Sequence, residues 1–187
     1  AMTAPPAARA PRATPGWRRL RTWLGNLWRG VPLAVLRRAG PGLYVGPFPW
    51  FRPGEDIRLG RNVYIGSHLH LSAPCEIRDD VLLASYVSLV GGDHRFDQPG
   101  VLLRESGRGT MQRIVVAEDA WVGHGAILLG GVTIGRGAIV AAGSVVTSDV
   151  PPCEIWGGVP ARRLKSRFDS ADATARHLEF LRGRHGG

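Results

Sequence analysis

Residues 114–146 read IVVAEDAWVGHGAILLGGVTIGRGAIVAAGSVV and place a large aliphatic side chain at every sixth position. The same period occurs earlier in the chain. The positions of the two blocks are Leu59, Ile65, Leu71, Ile77, Leu83, Leu89, Val116, Val122, Leu128, Ile134, Val140 and Val146. A period of six fits neither a helix of about 3.6 residues per turn nor simple strand alternation, so a repeating coil is indicated.

The hexads also indicate which side chains point inward. A second small or aliphatic residue stands two positions before each large one, as Val63 does before Ile65. Two residues at this spacing in a short strand share one face. A Gly or Ala often follows, as at Gly66 and Gly123, which permits a tight corner. The sequence therefore predicts an all-β protein, a parallel β-helix with three hexads in each triangular coil.

The two blocks of hexads are out of phase. Leu89 and Val116 are 27 residues apart, which is not a multiple of six. Residues 91–113 are therefore predicted to leave the coil as an excursion loop. Long, polar, Gly-rich loops of this kind are commonly functional.

The chain divides into three predicted parts. They are a basic N-terminal tail with an amphipathic helical segment (1–54), the β-helix domain (55–168), and a C-terminal helix and tail (169–187). The amphipathic segment, 17–38, carries Trp and Leu at helical spacing opposite arginines. Two interpretations stay open for it: contact with an anionic membrane surface, or packing on the coil or the trimer.

Composition and charge exclude several function classes. The 187 residues include 26 Gly and 14 Pro and carry a net charge of +9. Eight Arg and no acidic residue lie in residues 1–40, which leaves a balance of +1 elsewhere, so no nucleic-acid partner is expected.

Cys75 and Cys153 form no metal or disulfide pattern. Neither a secretory signal nor a spanning segment is evident, and a cytoplasmic location, with peripheral contact at the inner membrane face as a variant, is expected.

The hexads, the loop sequence GGDHRFD (91–97) and the closing run AAGSVVTSDVPPCEIWGGVPARRLK (141–165) together resemble the hexapeptide-repeat acyltransferases. The resemblance covers about 55–168 and is nearest to the maltose, galactoside, nodulation-type and exopolysaccharide O-acetyltransferases. It implies a left-handed β-helix and a homotrimer with active sites between subunits. It also implies acetyl-CoA as co-substrate, no metal, and transfer to a hydroxyl of a sugar, polysaccharide precursor or glycosylated small molecule.

The resemblance assigns the general base to His94, at the start of the loop. Transfer of an acyl group from a thioester to a hydroxyl needs a base that works near neutral pH, and imidazole does so. The implied transfer is direct, without a covalent enzyme intermediate. An acceptor must hold the other ring nitrogen, and Asp97 is preferred over Asp93, with a backbone carbonyl as a third alternative.

Candidates for acceptor binding lie in VYIGSHLHLS (63–72). In the sugar acetyltransferases, a polar residue at about this place helps to hold the acceptor or the oxyanion. The matching position falls on Gly66, Ser67 or His68, depending on where a gap is placed. His70, on an outward position, is a further candidate, and an ordinary surface role is the alternative for both histidines.

Candidates for binding the pantetheine arm of coenzyme A lie on the later coils. Trp121 occupies an outward position and resembles the residue that lines the pantetheine groove in the family. The backbone around His124, Ala142 and Thr147 matches positions that bind the pantetheine amides. His124 replaces the more usual Ser or Asn. Trimer packing alone is the alternative interpretation for Trp121.

Basic side chains after GGVPA are candidates for binding the phosphates of coenzyme A. They are Arg162, Arg163 and Lys165, and the first and last match the phosphate-contacting positions of the family. Guanidinium groups suit phosphates because they bind them in a bidentate way. A solvated basic turn is the alternative.

Three other functions are weighed. One is an N-acetyltransferase acting on an aminosugar or an antibiotic, which would use the same base. Another is a metalloenzyme like the gamma-class carbonic anhydrases, but the second histidine expected in the VGHGA turn is Leu129 here. The third is a non-catalytic β-helix scaffold. The sequence names neither the acceptor nor the length of the acyl chain.

Overall fold

The computed structural model describes residues 16–185, without the side chains of residues 17–19. Residues 1–15 of the predicted basic tail and residues 186–187 lie outside this range. The described chain winds into a coil whose strands stack into three sheets, of seven, five and four strands. Neighbouring strands within the coil are parallel, which confirms the predicted β-helix.

Each of the first four turns contributes one short strand to each sheet, and the last turn contributes strands to two of them. In chain order the strands are β1 (Tyr44–Val45), β2 (Trp50–Phe51), β3 (Ile57–Leu59), β4 (Tyr64–Ile65), β5 (His70–Leu71), β6 (Cys75–Ile77), β7 (Leu82–Leu83), β8 (Ser88–Val90), β9 (Ile114–Val116), β10 (Trp121–Val122), β11 (Ile127–Leu129), β12 (Thr133–Ile134), β13 (Ile139–Val140), β14 (Val145–Val146), β15 (Glu154–Gly158) and β16 (Ala161–Ser166). Sheet A has the order β1-β4-β7-β10-β13-β15-β16, sheet B β14-β11-β8-β5-β2, and sheet C β12-β9-β6-β3.

The strand register follows the hexads. Ile57 pairs with Cys75 and Trp121 with Ile139, which are offsets of three hexads. All the large aliphatic positions of the two hexad blocks are buried. The excursion loop also lies as predicted, since β8 ends at Val90 and β9 begins at Ile114.

The coil begins earlier than the sequence indicated. Strands β1 and β2 form a first turn inside the range 1–54, which had been assigned to the N-terminal tail and helix. Trp50 pairs with His70, so this turn is two residues longer than three hexads. The extra residues lie between β2 and β3, and they move the first turn out of the hexad register. The predicted start of the domain at 55 is therefore too late.

A helix closes the first turn. Helix α1 spans Gly16–Trp28 and α2 spans Leu33–Leu36. The backbone nitrogens of Tyr44 and Gly46 donate to the second turn, so the Leu43 carbonyl and the Val45 amide face the open end. The buried Asn26 side chain donates to Leu43 O at 2.9 Å and accepts from Val45 N at 3.1 Å. It therefore takes the place of a neighbouring strand at an otherwise open edge.

The other end of the molecule carries an antiparallel hairpin and a helix. Strand β15 continues sheet A next to β13, and β16 turns back along it. Helix α3 follows over Ala171–His185, with Ser170 Oγ accepting from Ala173 N at its start. It contacts the coil through a hydrogen bond between His177 and Asp119 at 2.9 Å and an ion pair between Arg184 and Asp80 at 2.8 Å. None of the helices within residues 16–185 is long and apolar enough to cross a bilayer.

Candidate functional site

The excursion loop folds over the turn between β11 and β12 and forms a pocket of about 500 Å³. Its lining includes His94 together with Asp93, Phe96 and Asp97 of the loop, and Gly130 of the coil. The His94 side chain is exposed at this pocket. The structure therefore brings together all three residues that the sequence assigned to catalysis.

One side-chain and one backbone hydrogen bond across the loop hold the chain around His94 in place. Arg108 Nη1 donates to Gly92 O at 2.7 Å, and Gly109 N donates to Asp93 O at 2.9 Å. His94 itself forms an antiparallel bridge with Arg108. A Cβ at Gly92 would overlap the Met111 side chain, and φ there is +76°, so this position requires glycine. The chain on both sides of the histidine is thus fixed by local structure.

The structure does not place an acidic partner on the His94 ring. Asp97 Oδ1 lies 3.7 Å from Arg95 Nε. Asp93 contributes its main-chain carbonyl, which accepts from Gly109. Neither carboxylate hydrogen-bonds the imidazole in the part of the chain that is described. Asp97 and Asp93 therefore remain candidates that line the pocket without hydrogen-bonding the ring.

The predicted acceptor residues lie on sheet B and on the corner between sheets A and B. Ser67 Oγ is 3.1 Å from Ser85 Oγ. The His68 ring stacks on Tyr86, with centroids 4.5 Å apart, and the His70 ring stacks on Trp50 at the same separation. Both histidines are exposed parts of aromatic stacks. They do not line the His94 pocket within this chain.

Candidates for the pantetheine groove lie on the two turns of the coil that carry β10 and β13. Trp121, 49% exposed, stands on sheet A between Leu82 and Ile139 of the adjacent turns. The His124 ring lies 5.3 Å from that of Tyr86, and Gly143 N donates to the His124 carbonyl. That carbonyl is consequently used within the coil.

The two remaining pantetheine candidates are Ala142 and Thr147. Both are exposed: Ala142 lies between β13 and β14, and Thr147 follows β14. No residue of the pantetheine set lines the pocket of His94.

The basic residues of β16 fall into two groups. Arg163 Nε donates to Glu154 Oε1 at 2.9 Å, and its Nη2 donates to Ser166 Oγ at 2.9 Å. A hydrogen bond from Trp156 lowers the pKa of Glu154, and Arg163 adds to this against the opposing effect of burial. Glu154 is therefore an ionised partner, and the Arg163 guanidinium is committed to it.

Arg162 and Lys165 have no carboxylate partner among the described residues. Arg162 Nη1 donates only to its neighbour's carbonyl, Ala161 O, at 2.9 Å. Both side chains are exposed. They are consequently the two members of the predicted phosphate set that remain available.

Sequence reasoning missed the residues that support the pocket. Arg108 and Ser106 tie the loop together, the latter through a hydrogen bond from its Oγ to Leu103 O at 2.8 Å. Gly130 lies where a side chain would approach Gly91, the first residue of the loop. The neighbouring glycines 91–92 and 130–131 were a visible signal of close backbone approach at this point. Residues 16–185 contain no group of three or more His, Cys, Asp or Glu side chains arranged for a metal ion.

Comparison with known proteins identifies the family. The family model "Bacterial transferase hexapeptide (six repeats)" matches residues 113–148. The structure of a galactoside acetyltransferase in complex with coenzyme A is 30% identical and superposes with a TM-score of 0.65, over 82% of each chain. The chain belongs to the hexapeptide-repeat acetyltransferase family. The resemblance inferred from the hexads, the histidine loop and the closing run is thereby confirmed.

Two further relatives support this membership. A hexapeptide-repeat containing acetyltransferase of Vibrio cholerae is 30% identical with a TM-score of 0.60, over 81% of this chain and 91% of that one. Galactoside O-acetyltransferase of Escherichia coli K12 is 33% identical over 132 residues, 70% of this chain. This hexapeptide-repeat chain spans 64% of the length of the Escherichia coli enzyme.

Proposed function

We propose that this chain transfers the acetyl group of acetyl-CoA to a hydroxyl group of a sugar or glycoconjugate, with His94 as the general base. The observation that carries the proposal is the exposed His94 imidazole at a pocket of about 500 Å³, on a loop held by Arg108 and Gly109. A base presented to solvent beside a cavity can reach a bound hydroxyl. Membership in the family supplies the donor, since a related structure contains coenzyme A.

In the proposed step, a nitrogen of the His94 ring takes the proton of the acceptor hydroxyl as the oxygen attacks the thioester carbonyl carbon. The tetrahedral intermediate collapses by breaking the carbon–sulfur bond. The coenzyme A thiolate leaves and takes up the proton held by the imidazolium. The ester product and neutral His94 result, so no covalent intermediate with the enzyme is needed.

The proposed donor site uses Trp121, His124, Ala142 and Thr147 for the pantetheine arm, and Arg162 and Lys165 for the phosphates. The last two carry no carboxylate partner within the described chain, in contrast to Arg163. Uncommitted cations suit a phosphate because no existing ion pair must be broken to bind it.

We also propose that the active unit is a homotrimer in which a neighbouring subunit completes the site. None of the proposed donor residues lines the pocket of His94 within one chain, which supports a site that a neighbouring subunit completes. Sheet A exposes a row of large side chains: Tyr44, Tyr64, Leu82 and Trp121. Soluble monomers rarely expose such rows, and a symmetric assembly would cover this one. Sedimentation equilibrium measures the mass, and a monomer that is active would contradict this part.

The test of the function is thiol release from acetyl-CoA in the presence of sugars, glycosides and aminosugars. His94→Ala is expected to lower turnover by about two to four powers of ten and to leave coenzyme A binding unchanged. Arg104→Ala is the matched control, because Arg104 is exposed on the same loop and does not line the pocket. It should retain wild-type turnover.

The outcomes separate the parts of the proposal. Equal turnover of His94→Ala and wild type would refute the assignment of His94 as the general base. Acetylation of amines alone would refute the hydroxyl acceptor. Failure to bind coenzyme A would refute the transferase.

A further inference from the structure

Helix α1 is turned with its polar side inward. Asn26 is buried and bonded to the first turn of the coil. Five apolar side chains of the helix are exposed. Their exposed fractions are 59% for Leu20, 37% for Trp23, 50% for Leu24, 41% for Leu27 and 89% for Trp28.

These exposed side chains form one stripe, which we call the α1 stripe: Leu20, Trp23, Leu24, Leu27 and Trp28. Spacings of three and four residues place them on one side of the helix. The stripe lies outside the buried core, and the hydrogen bonds of α1 to the coil are made by Asn26. An apolar stripe of this size on a surface helix indicates an interaction site.

Charge around the α1 stripe favours one kind of partner. The first acidic residue of the chain is Glu55, and eight arginines precede residue 40. Arg21 is exposed and lies three and seven residues before Leu24 and Trp28, on the same side of the helix. Arg37 and Arg38, just after α2, are exposed as well, and of these Arg38 also pairs with Asp56 at 3.4 Å. The partner must therefore offer an apolar interior and negative charge together.

We propose that the α1 stripe docks on the surface of an anionic lipid bilayer. Leucine and tryptophan side chains enter the boundary between headgroups and acyl chains, where tryptophan is favoured, and arginines contact the phosphates. Contact between two copies of α1 would bring their arginines together, and like charges oppose such pairing. An anionic bilayer offers both the apolar interior and the negative charge that the stripe and its arginines require. The proposal is independent of the acetyl transfer.

The test is sedimentation of the whole protein with vesicles. Wild type should bind vesicles that contain phosphatidylglycerol and bind pure phosphatidylcholine vesicles much more weakly, with added salt reducing the binding. The double variant Leu24→Ser, Trp28→Ser should bind at least about tenfold more weakly, because it removes apolar area from the stripe. Arg21→Gln should weaken binding about fivefold.

The matched control is the double variant Leu102→Ser, Leu103→Ser, which removes two exposed leucines of the excursion loop. It should bind vesicles as wild type does. Unchanged binding by Leu24→Ser, Trp28→Ser would refute docking through the α1 stripe and leave charge alone as the cause. Absence of wild-type binding to the anionic vesicles would refute the proposal. Loss of a defined oligomer in that variant, with vesicle binding retained, would assign the stripe to contacts between copies.

Discussion

Replacing Asn26 should open the first turn of the coil. Its side chain satisfies the Leu43 carbonyl and the Val45 amide, which face the open end of sheet A. Leaving a buried backbone group without a partner costs about 1–3 kcal/mol. Two such groups at a terminus that water can partly reach give a loss of about 2–4 kcal/mol for Asn26→Ala. The substitution should lower the free energy of local opening of the first turn, because the turns beyond it keep all their hydrogen bonds.

Hydrogen exchange in the native state measures this directly. The free energy of opening at the Val45 amide is expected to fall by about 2–4 kcal/mol in Asn26→Ala, while the amide of Val122 keeps its protection. Asn26→Leu is the discriminating variant because it keeps the branching at Cγ and removes both hydrogen bonds. It should be no better than Ala. If Asn26→Leu protected Val45 as wild type does, packing and not hydrogen bonding would hold α1, and the reasoning would be refuted.

Three further predictions follow from the environments of single residues. Burial raises the pKa of Asp80, but the hydrogen bond from Arg184 and its other partners outweigh this and leave the pKa lowered. The stability that this carboxylate provides is therefore present above the unfolded pKa of about 3.9 and is lost as the pH falls through the folded pKa. Hydrogen exchange of the α3 amides, measured as the pH is lowered, should show this loss. Asp80→Asn should make that exchange less dependent on pH. Burial raises the pKa of Cys75 to about 12, so iodoacetamide should label this thiol only in denaturant. Labelling at Cys75 in the native protein would contradict its burial. A Cβ at Gly123 would lie 2.6 Å from a backbone nitrogen of the next turn, so Gly123→Ala should lower the free energy of unfolding by about 1–3 kcal/mol. Gly183 on α3 faces open space, so Gly183→Ala should raise the free energy of unfolding by about 0.5–1 kcal/mol. Urea titrations measure both values.

The repeating part of the fold was predictable because its signal is local. Each hexad carries its own inward aliphatic residue and its own corner, so the register of turn on turn follows from counting. The excursion loop was predictable for the same reason, since it is where the count fails. His94 could be singled out because it opens that loop.

The first turn was not predictable from the period. Two extra residues between Phe51 and Ile57 shift it, and only pairing with the next turn restores the register. The commitment of Arg163 to Glu154 was also out of reach. It depends on how β16 folds back on β15, a contact that no local pattern encodes.

The sequence by itself determined the coil, the loop and the amphipathic character of the N-terminal helix, because periodicity fixes which side chains share a face. The tertiary structure alone decided what each face contacts. It turned Asn26 toward the open edge of sheet A and left Leu24 and Trp28 outside. It also placed none of the proposed donor residues in the lining of the His94 pocket, because backbone hydrogen bonds between distant segments place each element.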